Sequence, residues 1–180
     1  GVASLHAPMA RHLTEEPAAD AAVQALKRLL FEGSAAYDTH PHRLNRAGHA
    51  EGTVVGGNFS VLSGLRGTPY DFSWEGTILF LEDIGERAYH IERMLYNLKL
   101  GGVLSRISGL IIGKFTDCPE DVLLGRTVYE TVAEIVKEYR YPVLFDFPVG
   151  HVKDNVPLVV GQKAPLEVNE KGGRLDFSAF

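Results

Sequence analysis

Apolar residues along this chain follow a helical period in some stretches and form short unbroken runs in others, and the two patterns alternate. Val23, Leu26, Leu29 and Leu30 recur at helical spacing, which predicts a helix from about Pro17 to Phe31. Thr14 is its expected cap, Glu15 and Glu16 suit its positive end, and Gly33 follows it. Tyr37 to Ala50 is polar and irregular, with His40-Pro41-His42 inside it, and reads as a loop or linker. Glu51 to Gly56 predicts a short strand closed by a tight turn at Gly57-Asn58, with Asn58 capping a short helix over Phe59 to Leu65.

The run Thr77 to Leu81 predicts a buried strand that ends abruptly in Glu82 and Asp83. Asp83 to Glu86 has capping-box spacing, so Asp83 is the expected cap of the next helix. That helix buries Ala88, Ile91, Leu95 and Leu98 and closes at Gly101-Gly102. Leu110 to Phe115 predicts another apolar strand, Arg126 to Tyr139 a helix with a Val128, Val132, Ile135, Val136 stripe, and Val143 to Phe147 a strand. Thereafter the period is two, with short strands at Leu158 to Val160, Pro165 to Val168 and Arg174 to Phe177. The expected class is α/β, with alternating strands and helices in the middle and an antiparallel meander at the end.

Bulk properties narrow the partners. The 180 residues carry a net charge of −5 with no basic run, which argues against nucleic acid. No apolar stretch approaches the roughly 20 residues of a membrane-spanning helix. A single cysteine, Cys118, leaves no intrachain disulfide and, with the rest, points to a reducing, cytoplasmic setting. The chain opens on Gly1 rather than Met and runs directly into a candidate strand, so further sequence upstream is expected.

Two residues carry candidate chemistry. Glu82 stands at the tip of a buried strand, and once Asp83 is given the capping role Glu82 is free for another. His151 follows Phe147-Pro148-Val149-Gly150 in a loop at a strand end, where catalytic side chains commonly sit. A histidine there can take a proton from a hydroxyl and return it, and a carboxylate on its far nitrogen would fix the tautomer. Other candidates are weaker. His40 and His42 lack further ligands nearby, so no metal or other cofactor is expected. Cys118 has acidic neighbours that raise a thiol pKa, which argues against a nucleophile.

Four segments then occur in a telling order: Gly56-Gly57-Asn58-Phe59-Ser60, Leu65-Arg66-Gly67-Thr68-Pro69, Phe80-Leu81-Glu82-Asp83-Ile84-Gly85-Glu86 and Phe147-Pro148-Val149-Gly150-His151. Together they resemble the C-terminal domain of the serine LD-carboxypeptidases, which include muramoyltetrapeptide carboxypeptidases and microcin C self-immunity peptidases. Leu5-His6-Ala7-Pro8-Met9 is similar to that family's His-Gly-Pro-Met segment, with Ala7 in place of Gly.

The resemblance implies a swivelling β/β/α-type domain with a mixed sheet and flanking helices. Residues 1–50 would be a junction segment with one helix and a linker, and 51–180 the C-terminal domain. It further implies a Ser-His-Glu triad in which Glu82 and His151 match the glutamate and histidine. The family's nucleophile lies in a Gly-x-Ser-Asp context in an N-terminal domain, and no serine here has those neighbours. The expected partner is therefore an N-terminal nucleophile domain of the same polypeptide. The expected substrate is a murein peptide losing a terminal D-alanine, a homodimer is compatible, and this chain alone is expected to be inactive. A microcin-type immunity peptidase and a non-catalytic binding domain of the same fold are the alternatives.

Overall fold

The computed structural model describes residues 2–15, 20–119 and 125–177. In chain order its elements are β1 (Ser4–His6), α1 (Ala10–Glu15), α2 (Ala21–Glu32), β2 (Ala36–Thr39), β3 (Gly48–Asn58), α3 (Phe59–Leu65) and β4 (Thr77–Ile84). There follow α4 (Ala88–Leu100), β5 (Gly109–Thr116), α5 (Val128–Ile135), β6 (Val143–Leu144), β7 (Leu158–Val160), β8 (Lys163–Asn169) and β9 (Gly172–Asp176).

Seven strands form one mixed sheet in the order β2-β9-β8-β3-β4-β5-β6. Its β3-β4-β5-β6 half is parallel, and its β2-β9-β8-β3 half is antiparallel. β1 pairs with β7 in a separate two-stranded ribbon that brings His6 opposite Leu158. Both faces of the sheet are covered, which is why β4 reads as an unbroken apolar run. Leu79 and Leu81 pack with Ile91, Leu95, Val132 and Ile135 of the helical layer. Ile78 and Phe80 pack on the other face with Ala25 and Leu29 of α2 and Leu158 and Val159 of β7. Burying each of these large side chains stabilises the domain by roughly 1.5–3 kcal/mol. Ribbon, sheet and helices make the layered, mixed α/β arrangement expected from the sequence.

Several local expectations are corrected. Tyr37 to Ala50 is not a linker: most of β2 and the start of β3 lie within it, paired to β9 and β8. Tyr37 is buried there, and its hydroxyl donates to Pro157 O at 2.6 Å. The helix predicted from Pro17 begins at Ala21 and is capped by Asp20, whose Oδ1 accepts from Ala22 N and Val23 N; Thr14 lies inside α1 instead. Pro17 itself falls outside the described residues. Leu30, placed on the apolar stripe, is exposed.

The tight turn expected at Gly57-Asn58 is not formed, because Gly56 and Gly57 are strand residues. Strand β3 runs through both residues to Asn58, and a Cβ at Gly56 would sit 2.0 Å from Phe80 O. Glycine is required because the neighbouring strand backbone approaches too closely for any side chain. Asn58 does cap α3, accepting from Val61 N at 3.1 Å. Helix α5 and strand β6 are shorter than predicted, and Asp146, at φ 63°, takes the chain out of the strand just beyond Leu144.

Candidate active site

Strand alternation separates two consecutive acids. Residues 78, 80 and 82 share one face of β4, and 79, 81 and 83 the other. Glu82 therefore emerges beside Phe80, toward the ribbon, and Asp83 emerges toward α3. The sequence made Asp83 the cap of α4; the structure keeps it in β4, and Arg87 is the N-cap of α4, with no side-chain capping bond. The physical reason is that β4 continues beside β5 through a register shift between Leu81 and Asp83, so the strand outlasts the apolar run. Asp83 serves α3 instead: its carboxylate accepts from Asn58 Nδ2 at 2.7 Å and from Ser60 N at 2.9 Å. Both acids are 1% exposed.

The chain reaches His151 through a constrained loop. Lys114 N donates to Val149 O at 2.9 Å, fastening the loop to β5. Gly150 N donates to Oδ1 of the buried Asn155 at 3.0 Å, and Thr116 Oγ1 to His151 O at 3.3 Å. Gly150 holds φ 129°, and a Cβ there would lie 3.0 Å from Glu82 Oε2. Only glycine lets the loop pass this close to the carboxylate.

The two predicted residues meet. His151 Nδ1 lies 2.9 Å from Glu82 Oε2. An ionised carboxylate only accepts, so a neutral His151 carries its proton on Nδ1 and keeps the Nε2 lone pair free. The His151 side chain is 41% exposed, against 1% for Glu82. A buried acid thus backs a half-exposed histidine.

A third group was not predicted from the sequence. His6, at the end of β1, brings Nε2 to 3.7 Å from Glu82 Oε1, within ion-pair reach but beyond a hydrogen bond. Burial pushes the Glu82 carboxyl up, but the His6 and His151 imidazoles outweigh it and hold the pKa below the ordinary carboxylate value. Asn155, which anchors Gly150, was likewise missed. The ribbon pairing that places His6 joins residues far apart in the chain and leaves no local signal. His6, Ala7, Met9, His12, Gly150, His151 and Asn155 enclose a cavity of about 140 Å³. No serine, threonine or cysteine is among them.

The weaker candidates have other roles. His42 stacks on Phe145 at 5.7 Å and accepts from Leu44 N through Nδ1 at 3.3 Å. Among the described residues, no cluster of three or more His, Cys, Asp or Glu could hold a metal ion. Burial pushes the Cys118 thiol up, and its Sγ donates to Thr116 O at 3.4 Å. None of the described helices is long and apolar enough to cross a membrane.

The LD-carboxypeptidase C-terminal domain family matches residues 51–166. The chain belongs to that family. A "Probable murein peptide carboxypeptidase" of Bacillus subtilis is 36% identical over 128 residues, covering 69% of this chain and 39% of that protein. The microcin C7 self-immunity protein of Escherichia coli is 33% identical over 128 residues, covering 69% of this chain and 36% of its own. The crystal structure of muramoyltetrapeptide carboxypeptidase from Oxalobacter formigenes superposes with a TM-score of 0.87 at 28% identity, over 98% of this chain and 61% of that one. This LD-carboxypeptidase C-terminal domain thus spans 36–61% of the length of these relatives.

Proposed function

We propose that this domain supplies the acid and the base of a serine carboxypeptidase that releases terminal D-alanine from murein tetrapeptides in cytoplasmic peptidoglycan recycling. The 2.9 Å contact between His151 Nδ1 and the buried Glu82 carboxylate carries the reading. Family membership and the murein carboxypeptidases among the relatives support the substrate.

In this reading His151 Nε2 removes the proton of a serine hydroxyl supplied from outside these 180 residues, as that oxygen attacks the scissile carbonyl. Glu82 holds the ring and stabilises the imidazolium. The imidazolium then gives its proton to the departing amine of D-alanine, leaving an acyl-enzyme. Water, deprotonated by the same nitrogen, hydrolyses the ester and regenerates the serine.

The microcin-type alternative would call for a surface that stacks on a nucleobase. The murein carboxypeptidases among the relatives favour the murein peptide. The test offers the whole protein that carries these residues a murein tetrapeptide and, separately, a peptide-nucleotide. Release of D-alanine from the first at a higher kcat/KM supports the reading. Turnover of the second alone, or of neither, contradicts it.

A further inference from the structure

His6 is not needed by the mechanism above, yet it is held beside the acid. The β1–β7 ribbon fixes its backbone opposite Leu158, and its ring stands edge-on to Phe80 with centroids 5.3 Å apart. Its Nε2 faces Glu82 Oε1 at 3.7 Å while His151 holds Oε2. Its Nδ1 is buried with no hydrogen-bond partner among the described residues. A proton placed on Nδ1 would therefore be an unsatisfied buried donor, which is strongly disfavoured. The neutral ring with its proton on Nε2 avoids that, and points an N–H at a carboxylate oxygen.

The consequence concerns orientation. The last torsion of a glutamate is broad and roughly two-fold, so an unrestrained carboxylate presents either oxygen, at varying angles, to its partner. An N–H dipole facing one oxygen at 3.7 Å biases that freedom electrostatically. We propose that His6 is a positioning residue of the acid–base pair: it faces the second oxygen of Glu82 through Nε2–H and fixes the carboxylate so that the other oxygen meets His151 in one geometry. Positioning of this kind acts on the histidine through the acid, without His6 touching substrate. Its catalytic meaning rests on the reading of Glu82 and His151 as acid and base.

The experiment is long-range ¹H–¹⁵N spectroscopy of the imidazoles of the 180-residue chain at alkaline pH. In the native chain His6 is expected as the Nε2–H tautomer and His151 as the Nδ1–H tautomer. In His6→Phe, which keeps a ring against Phe80 but removes the donor, His151 is expected to lose its single tautomer and move to a mixture. In His6→Gln, whose amide nitrogen reaches the same place, the single Nδ1–H tautomer is expected to return. A native His6 protonated on Nδ1 overturns the proposal whether or not any variant folds. So does a folded His6→Phe chain in which His151 is unchanged. Undiminished D-alanine release by a His151→Ala enzyme would instead overturn the acid–base reading and leave these tautomer results standing.

Discussion

The carboxylates of Glu82 and Asp83, adjacent in sequence, serve opposite faces of β4: Glu82 meets His151 at 2.9 Å and Asp83 meets the start of α3 at 2.7 and 2.9 Å. One acid faces the histidine and the other the helix start, and the strand's period of two makes the division. The difference gives the two positions separable effects.

Asp83→Ala is expected to destabilise the domain without altering the acid–base pair. Asn58 Nδ2 and Ser60 N lose their acceptor at the end of β4, at about 1–3 kcal/mol. Urea denaturation checks the loss, and the His151 imidazole spectrum should stay native. A disturbed His151 in a folded Asp83→Ala chain would contradict the division of roles.

Gly150→Ala is expected to damage both stability and the pair. The alanine would have to hold φ 129° and place its Cβ 3.0 Å from Glu82 Oε2. Backbone strain of this kind costs about 1–3 kcal/mol, and relief requires the loop or the carboxylate to move. The expected result is a lower urea midpoint together with a changed His151 Nδ1 proton signal.

Acid should weaken the fold partly through Glu82. Its folded-state pKa lies below the ordinary value of 4.5, so its contribution is fully present above that value and is lost as pH falls through the folded-state pKa. Urea midpoints followed from about pH 7 to about pH 3 should fall more steeply for the native chain than for Glu82→Gln, which cannot titrate. Parallel curves would show that the two imidazoles do not hold the carboxyl ionised.

Phe80→Ala is expected to be destabilising by about 3–5 kcal/mol, because Phe80 is fully buried and joins the sheet to the ribbon layer. It also removes the ring against which His6 stands, so the His6 signals should shift.

The sequence shows most clearly what local pattern determines. The Thr77 to Leu81 run is legible because a parallel strand covered on both faces has almost no solvent-facing positions. The three helix stripes and the Asn58 cap follow from spacing and side-chain chemistry, and Glu82 and His151 stand out in the sequence by their places at strand ends. The losses have physical causes. Ala36–Thr39 is too short and too polar to read as a strand, and it exists because β9 supplies its ladder. Gly48 to Ala50 extends β3 through pairing with β8, which no window along the chain contains. Asp83 was misassigned because a register shift lets β4 run past its apolar residues. His6 depends on the β1–β7 pairing, a tertiary contact from one end of the chain to the other.

The most direct measurement of the central claim is kcat/KM for D-alanine release from a murein tetrapeptide by the whole protein, compared between native and His151→Ala enzymes. A base paired to Glu82 predicts a loss on the order of 10⁴ to 10⁶ with the fold intact. A His151→Ala enzyme that stays within about tenfold of native would contradict it, because removing one positioned general base typically forfeits 10²–10⁴-fold or more.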